Sequence, residues 1–321
     1  MQMNMVNAIN NALGQIMEEN KNVVLLGEDI GTDGGVFRAT DGLLEKFGEN
    51  RVIDTPLAES AIIGTSVGMA IAGLHPIPEI QFAGFMYESF AQLVNHAARY
   101  RSRTRSAFSV PMTVRVPVSG GVRTLEHHSE SPEALYSHIG GLVVLEPSNP
   151  YDAKGLLIKA ARMKDPVLFL EPTKLYRLFK QDVPEEMYEV EIGKASILKE
   201  GTDLTIVTYG TMVKVVEDAV AKKGVSAEII DLRTINPLDE ETIISSAKKT
   251  GKVLIVHEAA LSFGVGAEIA ARVAEKAIYD LDAPVLRVAS DSFPYPFPGY
   301  EQYYIPNEAK VSNAIDKIMS E

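Results

Sequence analysis

The chain contains no cysteine, so disulfides, thiolate nucleophiles and cysteine-built metal sites are all excluded, and any chemistry rests on other residues. It also lacks an apolar run approaching the ~20 residues a membrane-spanning helix needs. The first twenty residues carry Glu18 and Glu19 in place of a basic start and an apolar core, so they do not read as a signal peptide. We read the protein as cytoplasmic. Basic runs are missing too, apart from Arg99, Arg101, Arg103 and Arg105. With a net charge of -12, the chain repels polyphosphate backbones and nucleic acid is not expected as a partner. Neither a Gly-Lys-Ser/Thr loop nor a Gly-x-Gly-x-x-Gly turn is present, which argues against a nucleotide site at the glycines Gly31, Gly34 and Gly35.

What is there suits a soluble α/β protein. The 321 residues suffice for two ordinary domains, and 46% hydrophobic residues supply enough apolar surface to offset the entropy of ordering them. Met5, Ile9, Leu13, Ile16 and Met17 mark one face of a helix. A strand follows from Val23 to Gly27, ending in Glu28-Asp29 and a glycine-rich stretch. Strands are expected over Arg51–Asp54, Ile77–Phe82, Met112–Pro117, Leu142–Glu146 and Val167–Glu171. Helices between them are expected over Glu59–Leu74, Met86–Arg103, Pro132–His138 and Tyr151–Met163. Between Pro172 and Val190 the periodicity fails, which reads as a surface crossing. Strands Leu204–Tyr209, Ala227–Leu232 and Val253–His257 then alternate with helices Thr211–Lys222, Glu240–Thr250 and Gly264–Ala277. The reading is two doubly wound domains, residues 1–190 and 191–321, with the change near Gly193. Phe293 to Pro298 has proline at every second place and reads as an extended strap, before a last helix from Asn307 to Met319.

Asp54-Thr55-Pro56-Leu57-Ala58-Glu59-Ser60 places a carboxylate where a strand ends and a helix of small residues begins. A Glu in a first helical turn is ordinarily a dipole-complementing surface charge, so Glu59 alone decides nothing. It stands in a series: GEDI at Gly27–Ile30, GGVFRAT at Gly34–Thr40, DTPLAES at Asp54–Ser60 and EIQFAGF at Glu79–Phe85. HSESPEA at His128–Ala134, EIIDLRT at Glu228–Thr234, VHEAA at Val256–Ala260 and YIP at Tyr304–Pro306 complete it.

Over nearly its whole length the chain resembles the beta subunit of the 2-oxo-acid dehydrogenase decarboxylating component, in the transketolase-like superfamily. That resemblance implies a thiamine-pyrimidine-binding domain followed by a transketolase C-terminal-like domain. It implies that Glu59 hydrogen-bonds the aminopyrimidine of thiamine diphosphate, letting the cofactor form its carbon nucleophile. Phe85 matches the position whose ring lies against the pyrimidine, and Leu57 joins the cofactor-binding set. Of the adjacent histidines His127 and His128, the register of Ser131-Pro132-Glu133 puts the family's proton-transfer residue on His128. Glu28 and Glu88 resemble acids that, with Glu59, line a polar passage between paired sites, where closely spaced buried carboxylates share protons. His257-Glu258 falls in the second domain and is assigned a structural role. Lys159–Asp165 resembles a potassium site, but Met163 stands where some relatives have Asp, and no metal ligand is assigned.

No Gly-Asp-Gly metal motif occurs in the sequence, so a partner has to hold Mg²⁺ and the diphosphate. The resemblance therefore implies an alpha subunit, an α2β2 heterotetramer and a lipoyl acyltransferase that takes up the acyl group. GGVFRAT resembles branched-chain 2-oxo-acid enzymes more than pyruvate enzymes, with the pyruvate dehydrogenase beta subunit as the alternative. Transketolase and deoxyxylulose-phosphate synthase share both domains but carry the diphosphate domain in the same chain. A catalytically inactive α/β scaffold would keep the fold without needing Glu59 and His128 together.

Overall fold

A computed structural model describes all 321 residues. The helix Met5–Glu19 starts at Asn4, whose side chain accepts from the Asn7 backbone N–H, and it buries the face marked by Met5, Ile9, Leu13, Ile16 and Met17. Two twisted sheets follow, each sandwiched by helices. The larger has seven strands in the order Thr234–Asn236, Val143–Leu145, Val167–Pro172, Thr113–Val118, His75–Glu79, Val23–Gly27 and Val52–Asp54. All its pairings are parallel except the first. The smaller runs Leu286–Ser290, Val253–Ala260, Leu204–Thr208, Ala227–Asp231 and Ser196–Lys199, with only the last pair antiparallel. Strands such as Val23–Gly27 are buried on every residue, as strands covered on both faces must be. The expected α/β class with two doubly wound sheets is therefore observed.

The second sheet's part of the chain also reaches back into the first. Thr234–Asn236 pairs with Val143–Leu145, Asn236 donates from its side chain to the Leu142 carbonyl at 2.8 Å, and the Glu146 N–H donates to the Arg233 carbonyl at 2.9 Å. This three-residue edge strand was not expected, because a segment so short carries no readable alternation.

Several other expectations shift. The strand expected over Ile77–Phe82 runs from His75 to Glu79, with Pro76 and Pro78 inside a central strand. The residues between these prolines direct their bonds to Val23–Gly27, so the missing N–H groups fall on the other side. There the only paired position with Thr113–Val118 is Glu79 with Arg115. The single helix expected over Met86–Arg103 is three pieces: a 3₁₀ segment Ala83–Ser89, a π segment Gln92–Ala97 and an α-helical end Ala98–Arg103. Apolar periodicity does not register such widened or tightened turns. The crossing from Pro172 to Val190 runs at the surface but is anchored into the core. Leu175, Tyr176, Val183 and Val190 are buried, and the fully buried Lys154 donates from Nζ to the carbonyls of Pro184, Glu185 and Glu186 at 2.7, 3.1 and 3.0 Å. In the Lys159–Asp165 segment, Lys159 and Arg162 both pair with Glu189, and Asp165 pairs with Arg101.

Candidate active site

The site residues gather where the first sheet's parallel strands end, as open α/β sheets generally place ligands. Glu28 directly follows Val23–Gly27, and Glu59 opens the helix Glu59–Ile71 that follows Val52–Asp54; both are buried. Burial, the Glu59 charge and the Asp29 charge hold the Glu28 carboxyl above its ordinary range, against the Ala58 N–H that favours its charged form. No donor of this chain bonds the Glu59 carboxylate. Asp54 ties the loop after Glu28 to the neighbouring strand end, accepting from the backbone N–H of Gly31 at 2.6 Å and of Thr32 at 3.1 Å. Gly31 makes that approach possible, since a Cβ there would stand 2.7 Å from the Asp54 carboxylate.

The helix Glu59–Ile71 packs on the 3₁₀ segment Ala83–Ser89, which carries an aromatic cluster. Phe85, half-buried on the 3₁₀ segment, has its ring centroid 5.5 Å from His128 and 6.0 Å from Phe82, and Phe82 is 4.2 Å from His128. The three rings meet edge to face. Gly84 lets the Glu126–His128 turn sit directly on this segment, since a Cβ there would be 2.5 Å from the His127 carbonyl oxygen. His127 is exposed and lies beside Glu126, 3.4 Å away, while His128 is half-buried against the cluster.

Glu28 and Glu59 are thus brought together, and so are Phe85 and His128. Leu57 is 79% exposed on the link between strand and helix. Glu88 is exposed, and its backbone carbonyl accepts from the Ser60 hydroxyl. Within this chain Glu28 and Glu59 form a buried pair, and Glu88 is exposed beside Ser60.

Sequence reasoning gave Glu258 a structural role without its partners and passed over the acidic groups around it. Glu258 is buried and accepts from the Gly120 backbone N–H at 2.6 Å and from the Thr211 hydroxyl at 2.5 Å, across 138 residues in the first case. The motif VHEAA marked its place but not its reach. Around it lies an acidic seam between the sheets. Tyr209 donates to Glu133 at 2.8 Å, Ser148 donates to Asp231, and one Glu146 oxygen has no partner. Burial pushes Glu133 and Asp231 up to about 7 and raises Glu146 and Glu258, with like charges adding to each shift.

The donor set fits the aminopyrimidine end of thiamine diphosphate. A buried carboxylate without a donor of its own suits a ring N–H, and a half-buried phenylalanine suits a flat heterocycle. No group of three or more His, Asp or Glu side chains is arranged to hold a metal ion, and no helix is long and apolar enough to cross a membrane.

Comparison with known proteins gives the same picture at larger scale. Residues 1–178 match the family model "Transketolase, pyrimidine binding domain", and residues 193–311 match "Transketolase, C-terminal domain". The chain is 52% identical to the pyruvate dehydrogenase E1 component subunit beta of Acholeplasma laidlawii, over 98% of this chain and 97% of that one. It is 48% identical to the protein of the same name from Bacillus subtilis (strain 168), over 99% of both. Among solved structures it is similar in fold to a "Split gene transketolase, inactive beta4 tetramer", with a TM-score of 0.80, 22% identity and 99% of each chain covered. These relatives bear the pyruvate name, so the branched-chain leaning drawn from GGVFRAT finds no support among them. The chain belongs to the family of E1 beta subunits of the 2-oxo-acid dehydrogenases, within the transketolase-like superfamily.

Proposed function

We propose that this chain is the beta subunit of a pyruvate dehydrogenase E1 component, which decarboxylates pyruvate and passes the acyl group to a lipoyl arm of an acyltransferase. An alpha subunit completes each site in an α2β2 heterotetramer and holds Mg²⁺ and the diphosphate. Residues 1–190 grip the pyrimidine and residues 191–321 form the C-terminal domain. The carrying observation is the buried Glu28–Glu59 pair, with Glu59 at the start of a helix that packs on the segment bearing Phe85, whose ring in turn meets His128. The names of its relatives favour pyruvate over branched-chain acids.

When bound, thiamine diphosphate supplies a carbon nucleophile and an electron sink. Glu59 Oε accepts a hydrogen bond from the aminopyrimidine ring, and Phe85 and Leu57 offer it apolar contact. Glu28, whose carboxyl burial and the Glu59 charge hold above its ordinary range, lies next to that carboxylate. His128 holds or gives up a proton at an imidazole nitrogen beside the substrate. Glu88 stands at the exposed end, open to a partner's surface.

The test is 2-oxo-acid-dependent dye reduction by this chain purified with its native alpha subunit. Pyruvate is expected to be oxidised in preference to branched-chain acids, and Glu59→Gln is expected to lower kcat by about 100-fold or more. A preference for branched-chain acids would overturn the substrate assignment. Full activity of Glu59→Gln would overturn the assignment of Glu59.

A further inference from the structure

The loop carrying His128 leaves the strand Thr113–Val118 at Ser119 and returns at Glu130, where the Ser119 N–H donates to the Glu130 carbonyl at 2.8 Å. Its stem is gripped from the other half of the molecule. Glu258, at the end of the second sheet's central region, accepts from the Gly120 N–H at 2.6 Å and is itself held by the Thr211 hydroxyl. One residue on, the Gly121 N–H donates to the Tyr295 hydroxyl at 3.2 Å, and that hydroxyl donates to Glu301 at 2.8 Å. The Tyr295 ring is braced edge-on by Tyr304 at 5.3 Å. Gly120 has to be glycine for this approach, because a Cβ there would collide with the Tyr295 ring and hydroxyl. Beyond the stem, a cavity of about 220 Å³ separates the loop from Tyr295 and Tyr304, so packing does not fix the loop on that side.

We infer that Glu258 and Tyr295 are positioning residues for His128, so that the C-terminal half sets the geometry of a site whose reacting groups all belong to the N-terminal half. This rests on the proposed role of His128. Two adjacent N–H groups held by two side chains fix both the direction and the register of the loop as it leaves the strand. A displacement of the imidazole on the ångström scale costs rate more than substrate affinity.

The experiment uses the assembled enzyme with its alpha subunit and the variants Glu258→Leu, Glu258→Gln and Tyr295→Phe. It reads amide hydrogen exchange over residues 119–131 alongside kcat and KM for the 2-oxo acid. Glu258→Leu and Tyr295→Phe are expected to speed exchange in that segment by about 10-fold and to lower kcat by about 10-fold with KM little changed. Glu258→Gln keeps an acceptor oxygen for Gly120 and is expected to restore both. Wild-type exchange and kcat in Glu258→Leu and Tyr295→Phe, with only the melting temperature lowered, would overturn the inference. The exchange readout stands whatever the substrate proves to be, so a wild-type enzyme inactive on every 2-oxo acid would sink the proposed function alone.

Discussion

Phe82 stands edge-on to His128, with ring centroids 4.2 Å apart and planes 77° from parallel. Phe82 in turn meets Phe37 at 5.6 Å, and Phe37 meets Tyr176 at 4.9 Å. The Tyr176 hydroxyl donates to Glu171 at 2.6 Å, and Glu171 receives two bonds from the buried Arg115. The imidazole at the site therefore rests, through three rings, on an ion network at the centre of the first sheet.

Replacing Phe82 with leucine keeps much of the buried volume but removes the edge contact. The expected stability loss is about 1 kcal/mol. The kcat of the assembled enzyme should fall further, by about 10-fold, because the imidazole loses its lateral support. Chemical denaturation and steady-state kinetics on the same preparation check both.

Arg115 donates to Glu79 at 2.6 Å and, through two nitrogens, to Glu171 at 2.7 and 2.9 Å. Burial works against its charge, but Glu171 and Glu79 overcome that and hold the guanidinium protonated. Arg115→Leu would leave two carboxylates buried without a counter-charge, at an expected cost of about 3–5 kcal/mol. Urea unfolding of the variant measures it, and a loss below ~1 kcal/mol would contradict this account.

Lys154→Met should destabilise the chain by about 2–4 kcal/mol, since three carbonyls of the Pro184–Glu186 turn lose their donor together. Limited proteolysis offers a local check. Cleavage between Pro184 and Glu186 is expected to appear in the variant ahead of cleavage elsewhere.

How much of this was legible depended on range. Glu28 and Glu59 could be placed through the motifs GEDI and DTPLAES, whose resemblance to a known family gave them roles that a strand end or a first helical turn alone does not. Glu258 could not, because its partner Gly120 is 138 residues away. The π turns at Gln92–Ala97 escaped because the residues there are ordinary helix formers. GGVFRAT carried a branched-chain leaning that the relatives' names do not support. Gly34 and Gly35 take positive φ, Phe37 packs on Tyr176 and Phe82, and Thr40 donates to the Ile30 carbonyl at 2.6 Å. Those residues build the loop that follows Glu28, and their contacts are with this chain's own core.

Two sets of buried groups set opposed pH dependences. Burial holds Glu133 and Asp231 at about 7 in the folded chain, above their unfolded values. From about pH 4.5 to 7 the folded state binds more protons at these groups than the unfolded state, so their contribution weakens as pH rises. Burial also holds His75 and His257 down at about 4. From about pH 4 to 6.5 the unfolded state binds more protons there, so that contribution strengthens as pH rises. Glu133→Gln, which can still accept from Tyr209, is expected to gain about 1–3 kcal/mol at pH 8 relative to pH 5. His75→Phe should instead flatten the loss of stability on acidification. Melting curves from pH 4 to 8 separate the two.

The Thr234–Asn236 strand lies within the span of the C-terminal family model yet completes the sheet of the N-terminal one. A gene cut between the two spans would free a first fragment whose Val143–Leu145 edge offers unpaired backbone groups to any other chain. The halves are therefore not interchangeable cassettes. Chimaeras that swap the C-terminal half between relatives also swap an edge of the active-site sheet, and inherit its fit or misfit along with the domain.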